Sequence, residues 1–355
     1  MKVMAIDLGK AKSVMCLLEQ CGKAEFETVA TRPQEMHDLI VKHAPTRVVF
    51  EIGSQAGWMY DLCVKLGVSV KVAATGSEAL RWRNVKRKTD RDDALRLAKM
   101  EMAGEIQEVH MPPAAIRDLR VLVEHRHKLV CERTRIKNAI RCVLDREAQP
   151  WPVEEKTLGA KAQKALETLA QENSEKLWGQ LLEQHLERLK QVRERIKWAE
   201  GKLDALTAEI PAVKVLQSIP GVGPRLSEAL VAAIDDPKRF ESKNQVGAYL
   251  GLTPIKYQSG KMDRNGRISK RGPATLRGLL VQAAWAGLRH NPWMKEVFDR
   301  VKGGSKSRRK QAVVAVARRL AVVAWAMLRD NKEWDATKCK AKEAREAKPA
   351  AENAA

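Results

Sequence analysis

The chain has 355 residues, 44% of them hydrophobic, enough for roughly two or three domains with real cores. Lys and Arg number 65 against 44 Asp and Glu, a net charge of +21. That excess points to a polyanion, nucleic acid ahead of an anionic membrane, and suits a small-molecule kinase poorly. No run of about 18 apolar residues is present, so no membrane span is expected.

Residues 2–7 read as a short apolar strand ending in Asp7, and an acid inside that run argues against a signal peptide. Residues 13–18 and 25–30 read as two further strands with short turns, an antiparallel meander. A helix follows over 34–43, then a strand over 46–50 that runs into Glu51, a helix over 58–66 and a strand over 68–73. The stretch KTDRDDALRLA, residues 88–98, opens another helix, capped by Thr89 or Asp90. The order βββ-α-β-α-β-α is that of a ribonuclease H-like fold. Six scattered cysteines (Cys16, Cys21, Cys63, Cys131, Cys142, Cys339) without a CxxC read as reduced packing thiols. His125 and His127, near Cys131, make no zinc pattern.

Asp90 and Asp93 are three apart and share a helix face; Asp92 points elsewhere. They sit among Arg81, Arg83, Lys86, Arg87, Lys88, Arg91 and Arg96. One reading makes them solvated acids paired to those cations. The other joins them to Asp7 and Glu51, which end neighbouring strands in such a fold. Four converging carboxylates can hold two Mg²⁺ (or Mn²⁺) roughly 3.5–4 Å apart, a clamp for phosphoryl displacement.

Residues 114–146 form one long helix with an apolar face at helical spacing. Arg117, Arg120, Arg126, Lys128, Arg133, Arg135, Lys137 and Arg141 cover the rest, a surface suited to phosphates. After a Pro/Trp break, residues 180–210 are helical again, with Leu182, Leu186, Leu189, Val192, Ile196, Leu203 and Leu206 as a seam. A coiled coil, within one chain or between two, explains that seam. Residues 218–230, SIPGVGPRLSEAL, carry Gly221 and Gly223 in a helix-hairpin-helix pattern that lets backbone N–H groups approach a phosphate. A plain interhelical turn is the alternative.

Residues 247–277 alternate glycines and cations, with Ser259 in a Gly-bounded loop followed by Lys261, Arg264, Arg267, Lys270 and Arg271. A hydroxyl among cations is placed to attack a phosphate. Ser269 competes on equal terms from the residues alone, unless it serves a turn or a cap. Residues 276–288 and 311–328 are apolar helices around Trp285 and Trp325, and the nine tryptophans read as core and interface residues. The tail, residues 336–355, is Ala/Lys/Glu-rich and expected to be disordered. The domains expected are 1–112, 113–210 and 211–335, followed by that tail.

These motifs together resemble the DEDD transposases of bacterial insertion sequences, the IS110/IS1111 family, over nearly the whole length. AIDLGKAKS, EIGSQAGWM and KTDRDDALRLA are similar to the family's three acid motifs, although Ile52 and Ser54 depart from the second. IPGVGP, GLTP, YQSG and ISKRGPATLR are similar to its C-terminal transposase domain. The resemblance implies a RuvC-like domain with Asp7, Glu51, Asp90 and Asp93 as metal ligands, and a mainly helical transposase domain. It implies Ser259 as the nucleophile that links covalently to DNA, donor and target DNA as partners, and a non-coding bridge RNA as guide. A homo-oligomer, dimer or tetramer, in the cytoplasm and associated with the nucleoid, is expected, with no membrane. A junction resolvase that uses water in place of the serine, an actin-like ATPase and a purely structural nucleic-acid-binding protein are the competing classes.

Overall fold

The computed structural model describes residues 1–74, 89–154, 157–259 and 262–336. The chain divides into two compact units, Met1–Arg117 and Asp118–Ala355.

The first unit is built on a five-stranded sheet. Its strands are β1 (Lys2–Asp7), β2 (Lys12–Glu19), β3 (Ala24–Ala30), β4 (Arg47–Glu51) and β5 (Ser69–Ala73), in the order β3-β2-β1-β4-β5. β1 pairs antiparallel with β2 and parallel with β4, and β4 pairs parallel with β5. The helices are α1 (Pro33–His43), α2 (Ala56–Lys65) and α3 (Asp90–Met102). This is the ribonuclease H-like arrangement expected from element order.

Side-chain alternation divides the sheet into two faces. Met4, Ile6, Val48 and Phe50 pack with Met36 and Ile40 of α1 and Met59 and Cys63 of α2. Val3, Ala5, Val49 and Ala73 pack with Ala94, Leu97 and Ala98 of α3. A central strand covered on both faces must be apolar throughout, which is why β1 and β4 read as continuous hydrophobic runs. The outer edge of β5 is partly covered: Ala73 forms an antiparallel bridge with Glu108, and Val109 donates to the Val72 carbonyl at 2.7 Å.

The second unit is largely helical. The 33-residue helix α4 (Ala114–Arg146) supplies most of its length to this unit. α5 (Ala160–Glu172) and α6 (Leu177–Thr207) share a core with it, formed by Leu129, Ile136, Ile140, Leu166, Leu182, Leu189 and Ile196. Arg126 pairs with Glu200 and Arg188 with Glu132, so α4 and α6 run antiparallel. The seam of α6 is thus buried within the chain, which makes it an intramolecular hairpin and removes those leucines as a dimer contact. Leu206, expected in the seam, is 50% exposed.

Next come α7 (Pro211–Gln217), α8 (Pro224–Ile234), a 3-10 turn at Pro237–Arg239 and α9 (Lys243–Tyr249). The hairpin β6 (Pro254–Ser259) and β7 (Met262–Ile268) precedes α10 (Ala274–Gly287), α11 (Pro292–Lys302) and α12 (Arg309–Asp330). By length and composition α12 could cross a membrane. Its Val313, Val316, Ala317, Leu320, Ala321 and Ala324 instead form the centre of the unit's core, packed with Leu280, Met294 and Leu230. The hairpin departs from the loop expected over this stretch: β6 is exposed along its whole length, so it offers no core face, and the glycines and cations around it read as a loop. The tail beyond residue 336 and the basic stretch 75–88, with Arg81, Arg83, Lys86, Arg87 and Lys88, lie outside the described residues.

Candidate active site and nucleic-acid interface

Ile6 and Phe50 are register partners in the parallel pair of β1 and β4. Asp7 and Glu51 each follow one residue later. Alternation turns both away from the face of Ile6 and Phe50 and onto the face of Ala5 and Val49, the one covered by α3.

The direction of α3 is fixed by Glu101, near its C-terminal end and 3% exposed. This carboxylate is held by Arg47, at the start of β4, and by Lys71 of β5 at 2.9 Å. α3 therefore runs antiparallel to β4, and its N-terminus lies toward the strand ends that carry Asp7 and Glu51. Asp90 precedes the sheet-facing Ala94 by four residues, and Asp93 precedes Leu97 by four, so both acids continue the face that meets the sheet. Thr89 caps the helix, accepting from the Asp92 backbone N–H at 3.3 Å and donating to the Asp92 carboxylate at 2.6 Å. Asp92 is thus engaged in its own first turn, away from the other two.

All four tetrad acids lie on one face at one end of the sheet, and their hard oxygens suit Mg²⁺ or Mn²⁺. Among the described residues, no three acidic, His or Cys side chains are already gathered as a metal cluster. Asp7, Glu51 and Asp93 all have interaction partners.

Ser259 belongs to the other unit. It is the last residue of β6, exposed, and register partner of Met262, so it stands at the tip of the hairpin. Tyr257 lies across Gly266, where an added Cβ would come within 2.5 Å of the ring. The guanidinium of Arg264 sits 5.5 Å from the Tyr257 ring centroid. Arg267, Lys270 and Arg271 follow, exposed, and Lys261 lies outside the described residues. Lys270 takes a left-handed backbone (φ 55°) and its N–H donates to the Gly251 carbonyl at 3.1 Å. Ser269 lies beyond β7, with its N–H on the Thr253 carbonyl at 2.8 Å, and Pro273 holds the N-cap position of α10. Ser269 is therefore neither at the hairpin tip nor the helix cap.

The long basic helix is less free than its sequence suggests. Arg117 pairs with Asp61 and donates to the Pro112 carbonyl at 2.7 Å. Arg120 donates to the carbonyls of Ala232 and Ala233 at 2.6 and 3.3 Å, and burial holds its pKa below the usual value. Arg126 is held by Glu200. These three tie the fold together. Lys128 and Arg135 remain exposed. Arg133, Lys137 and Arg141 stand at successive four-residue intervals, and Arg141 lies 5.5 Å from the Trp151 ring centroid. Burial, then Arg133, Arg193 and Arg141, hold the Lys137 pKa low, as expected of a cation crowded by cations.

In the PGVG turn, Gly221 has φ 94°, and a Cβ there would lie 2.9 Å from Gly287 Cα. Gly223 takes the N-cap position of α8 in an extended conformation, with open space around it. Gly221 is thus required by packing, whereas Gly223 is free to face a ligand.

Sequence reasoning passed over Glu228. It is 1% exposed on α8, 3.4 Å from Arg225, with neither carboxylate oxygen hydrogen-bonded. Burial raises its pKa to about 7, against the pull of Arg225. Its place within the apolar run SEALVAAI was the available signal.

A five-stranded sheet of this order, with Asp7 and Glu51 ending neighbouring strands, places the N-terminal unit in the ribonuclease H-like class of folds. Residues 4–148 match the DEDD transposase family of IS110 type, and residues 213–299 match the transposase IS116/IS110/IS902 family. A putative transposase of Sinorhizobium fredii is 26% identical over 366 residues, 90% of each chain. The transposase for insertion sequence element IS1111A of Coxiella burnetii is 25% identical, over 92% of this chain and 89% of that one. The Thermus thermophilus RuvC structure covers 31% of this chain and 100% of its own at 17% identity and TM-score 0.23; the fold assignment rests on the sheet order. The chain belongs to the IS110 family of insertion-sequence transposases.

Proposed function

We propose that this transposase cuts and rejoins DNA strands through a covalent bond between Ser259 Oγ and a scissile phosphate, with Asp7, Glu51, Asp90 and Asp93 as the ligands of two divalent cations. The observation that carries the reading is the placement of the four carboxylates on one sheet face at one end. Four acids brought to one end of one sheet face repel one another unless cations join them, and hard oxygen donors select Mg²⁺ or Mn²⁺. When bound, the ions supply charge neutralisation at the transferring phosphoryl group.

Ser259 stands at a hairpin tip, where the backbone can approach a duplex and the hydroxyl is open to solvent. Attack by Oγ forms an Oγ–P bond and breaks a P–O bond of the DNA backbone. The serine proton leaves to solvent or base, and the departing deoxyribose oxygen takes one up. Phosphodiester energy is conserved, so a hydroxyl from another strand can reverse the step and complete the exchange. Arg264, Arg267, Lys270 and Arg271 are placed on the same hairpin and its exit to neutralise the phosphate. The Gly223 backbone at the start of α8, and Lys128, Arg133, Arg135, Lys137 and Arg141 on α4, supply sequence-independent backbone contacts.

Sequence choice is delegated to a non-coding bridge RNA in this reading; family resemblance and the net charge of +21 support it. The enzyme works as a homo-oligomer in the cytoplasm, at the nucleoid. The deciding experiment is trapping. Wild type with its element-end DNA and guide should give a denaturant-stable protein–DNA adduct that is lost in Ser259→Ala and kept in Ser269→Ala. Cleavage without an adduct, undiminished in Ser259→Ala, would instead make the enzyme a water-using hydrolase of the resolvase kind.

A further inference from the structure

Two adjoining clefts open on the surface of the C-terminal unit, of about 440 and 390 Å³, and both are lined by Trp285, Leu288 and Arg309. The first adds Phe298, Lys302 and Lys306; the second adds Arg289. Volumes of this size match ligand sites. Tryptophan here does two things. Its inner edge packs on the core and tilts against Phe298, with ring centroids 6.0 Å apart. The remainder of the ring is partly exposed, and the Arg309 guanidinium stacks over it at 5.0 Å.

We infer that Trp285 and Arg309 form a stacking platform for an unpaired base of single-stranded DNA, with Lys302, Lys306 and Arg289 taking the flanking phosphates. The chemistry of the lining selects this occupant. An indole and a planar guanidinium offer flat faces that any base can stack on, without reading its edge. Three further cations, Lys302, Lys306 and Arg289, surround them, and no carboxylate is among the described lining residues. An apolar peptide would leave those cations unmatched; a strand of nucleic acid matches both parts at once. Lys302 ends α11 and Arg309 begins α12, so the cations are held by helix ends either side of the short connection that contains Gly303 and Gly304, both with positive φ. Transposition opens duplex ends, and unpaired strand is the state that needs a sequence-independent grip. The inference rests on the reading that this chain handles DNA, and it involves none of the tetrad, Ser259 or the α4 cations.

The test uses the full chain and four labelled probes of equal length: oligo-dT, the same backbone carrying abasic sites, oligo-U, and a duplex. Wild type should bind oligo-dT roughly tenfold more tightly than the abasic backbone, at the low end of one stacked base. Trp285→Ala should lose that preference while holding the abasic affinity; Trp285→Phe, which preserves more of the core, should retain part of it. Lys302→Gln/Lys306→Gln/Arg309→Gln, all at the surface, should weaken both single-stranded probes and reduce the log–log salt slope by about two. An undiminished base preference in Trp285→Ala, or unchanged affinity and slope in the triple variant, overturns the inference. So does an oligo-U probe bound tenfold more tightly than oligo-dT through Trp285, which assigns the platform to RNA. Duplex binding reports separately on the DNA reading: its loss in wild type would remove the premise, whereas its presence with no base preference removes only the platform.

Discussion

Ile6 and Phe50 face each other across the parallel pair β1–β4, and that register places Asp7 beside Glu51 on the α3 face of the sheet. If these carboxylates hold the metals, each is replaceable in shape but not in charge. Asp7→Asn and Asp90→Asn should cut strand cleavage by roughly a hundredfold or more, as loss of a single electrostatic stabiliser does elsewhere. DNA affinity and melting temperature should stay close to wild type, because both side chains lie at the rim and not in the core. Retained cleavage in either variant, or in EDTA, would remove the tetrad from the mechanism.

Glu101 is the residue that aims α3. Its buried carboxylate is shared by Arg47 and Lys71, and its loss leaves two partly buried cations at the start of β4 and in β5. Glu101→Ala should destabilise the N-terminal unit by about 2–3 kcal/mol, discounted from the fully buried case because both cations reach solvent. Cleavage should fall further than stability explains, since the opposite end of the same helix carries Asp90 and Asp93. Unchanged thermal melting of the variant would show that apolar contacts alone hold the helix in place.

Most of this framework was legible in the sequence because the sheet is regular. Apolar runs ended by acids gave β1 and β4, and helical periodicity gave the bounds of α4. The phosphate-facing character of α4 was legible only in part. A charge run does not say which arginines bend back, and Arg117, Arg120 and Arg126 are drawn to Asp61, the α8 carbonyls and Glu200 by contacts 56, 112 and 74 residues away along the chain. The α6 seam carried the same ambiguity, since an apolar stripe is identical whether its partner is in the same chain or another. The hairpin that displays Ser259 was hidden because its first strand is exposed and packs on no core, while the glycines and cations around it carry a loop signal. Glu228 was marked only by the apolar run around it, and the Trp285 clefts were hidden because exposure of an indole is a property of the packed unit.

The two glycines of the PGVG turn have different reasons to be glycine, and substitution can separate them. Gly221→Ala forces a left-handed alanine against the Gly287 backbone and should cost at least about 2 kcal/mol, read as a fall in melting temperature. Gly223→Ala meets open space in an extended conformation and should leave melting nearly unchanged. If the N-terminus of α8 receives a DNA phosphate, the added methyl should still weaken duplex binding severalfold. Equal duplex affinity for Gly223→Ala and wild type would make the turn a purely structural joint.

Glu228 should make the C-terminal unit less stable as pH rises. Burial lifts its folded pKa from 4.5 to about 7, so the native state holds a proton that the unfolded chain has released. The groups that face it are Arg225 on its own helix, Arg126 on α4, and Glu200 and Asp204 on α6. With a raised pKa the contribution to stability is complete below about 4.5 and is lost progressively as pH rises through 7. Glu228→Gln keeps the shape and never ionises, so it removes this loss. The variant should melt within a degree or so of wild type near pH 4, yet higher than wild type at pH 8.5. The gap corresponds to about 1–3 kcal/mol, or several degrees for a unit of this size. A gap that stays constant between those pH values would show that Glu228 is ionised throughout, held by Arg225. A variant less stable than wild type at pH 8.5 would lead to the same conclusion, because the lost ion pair would then outweigh the relief of a buried charge.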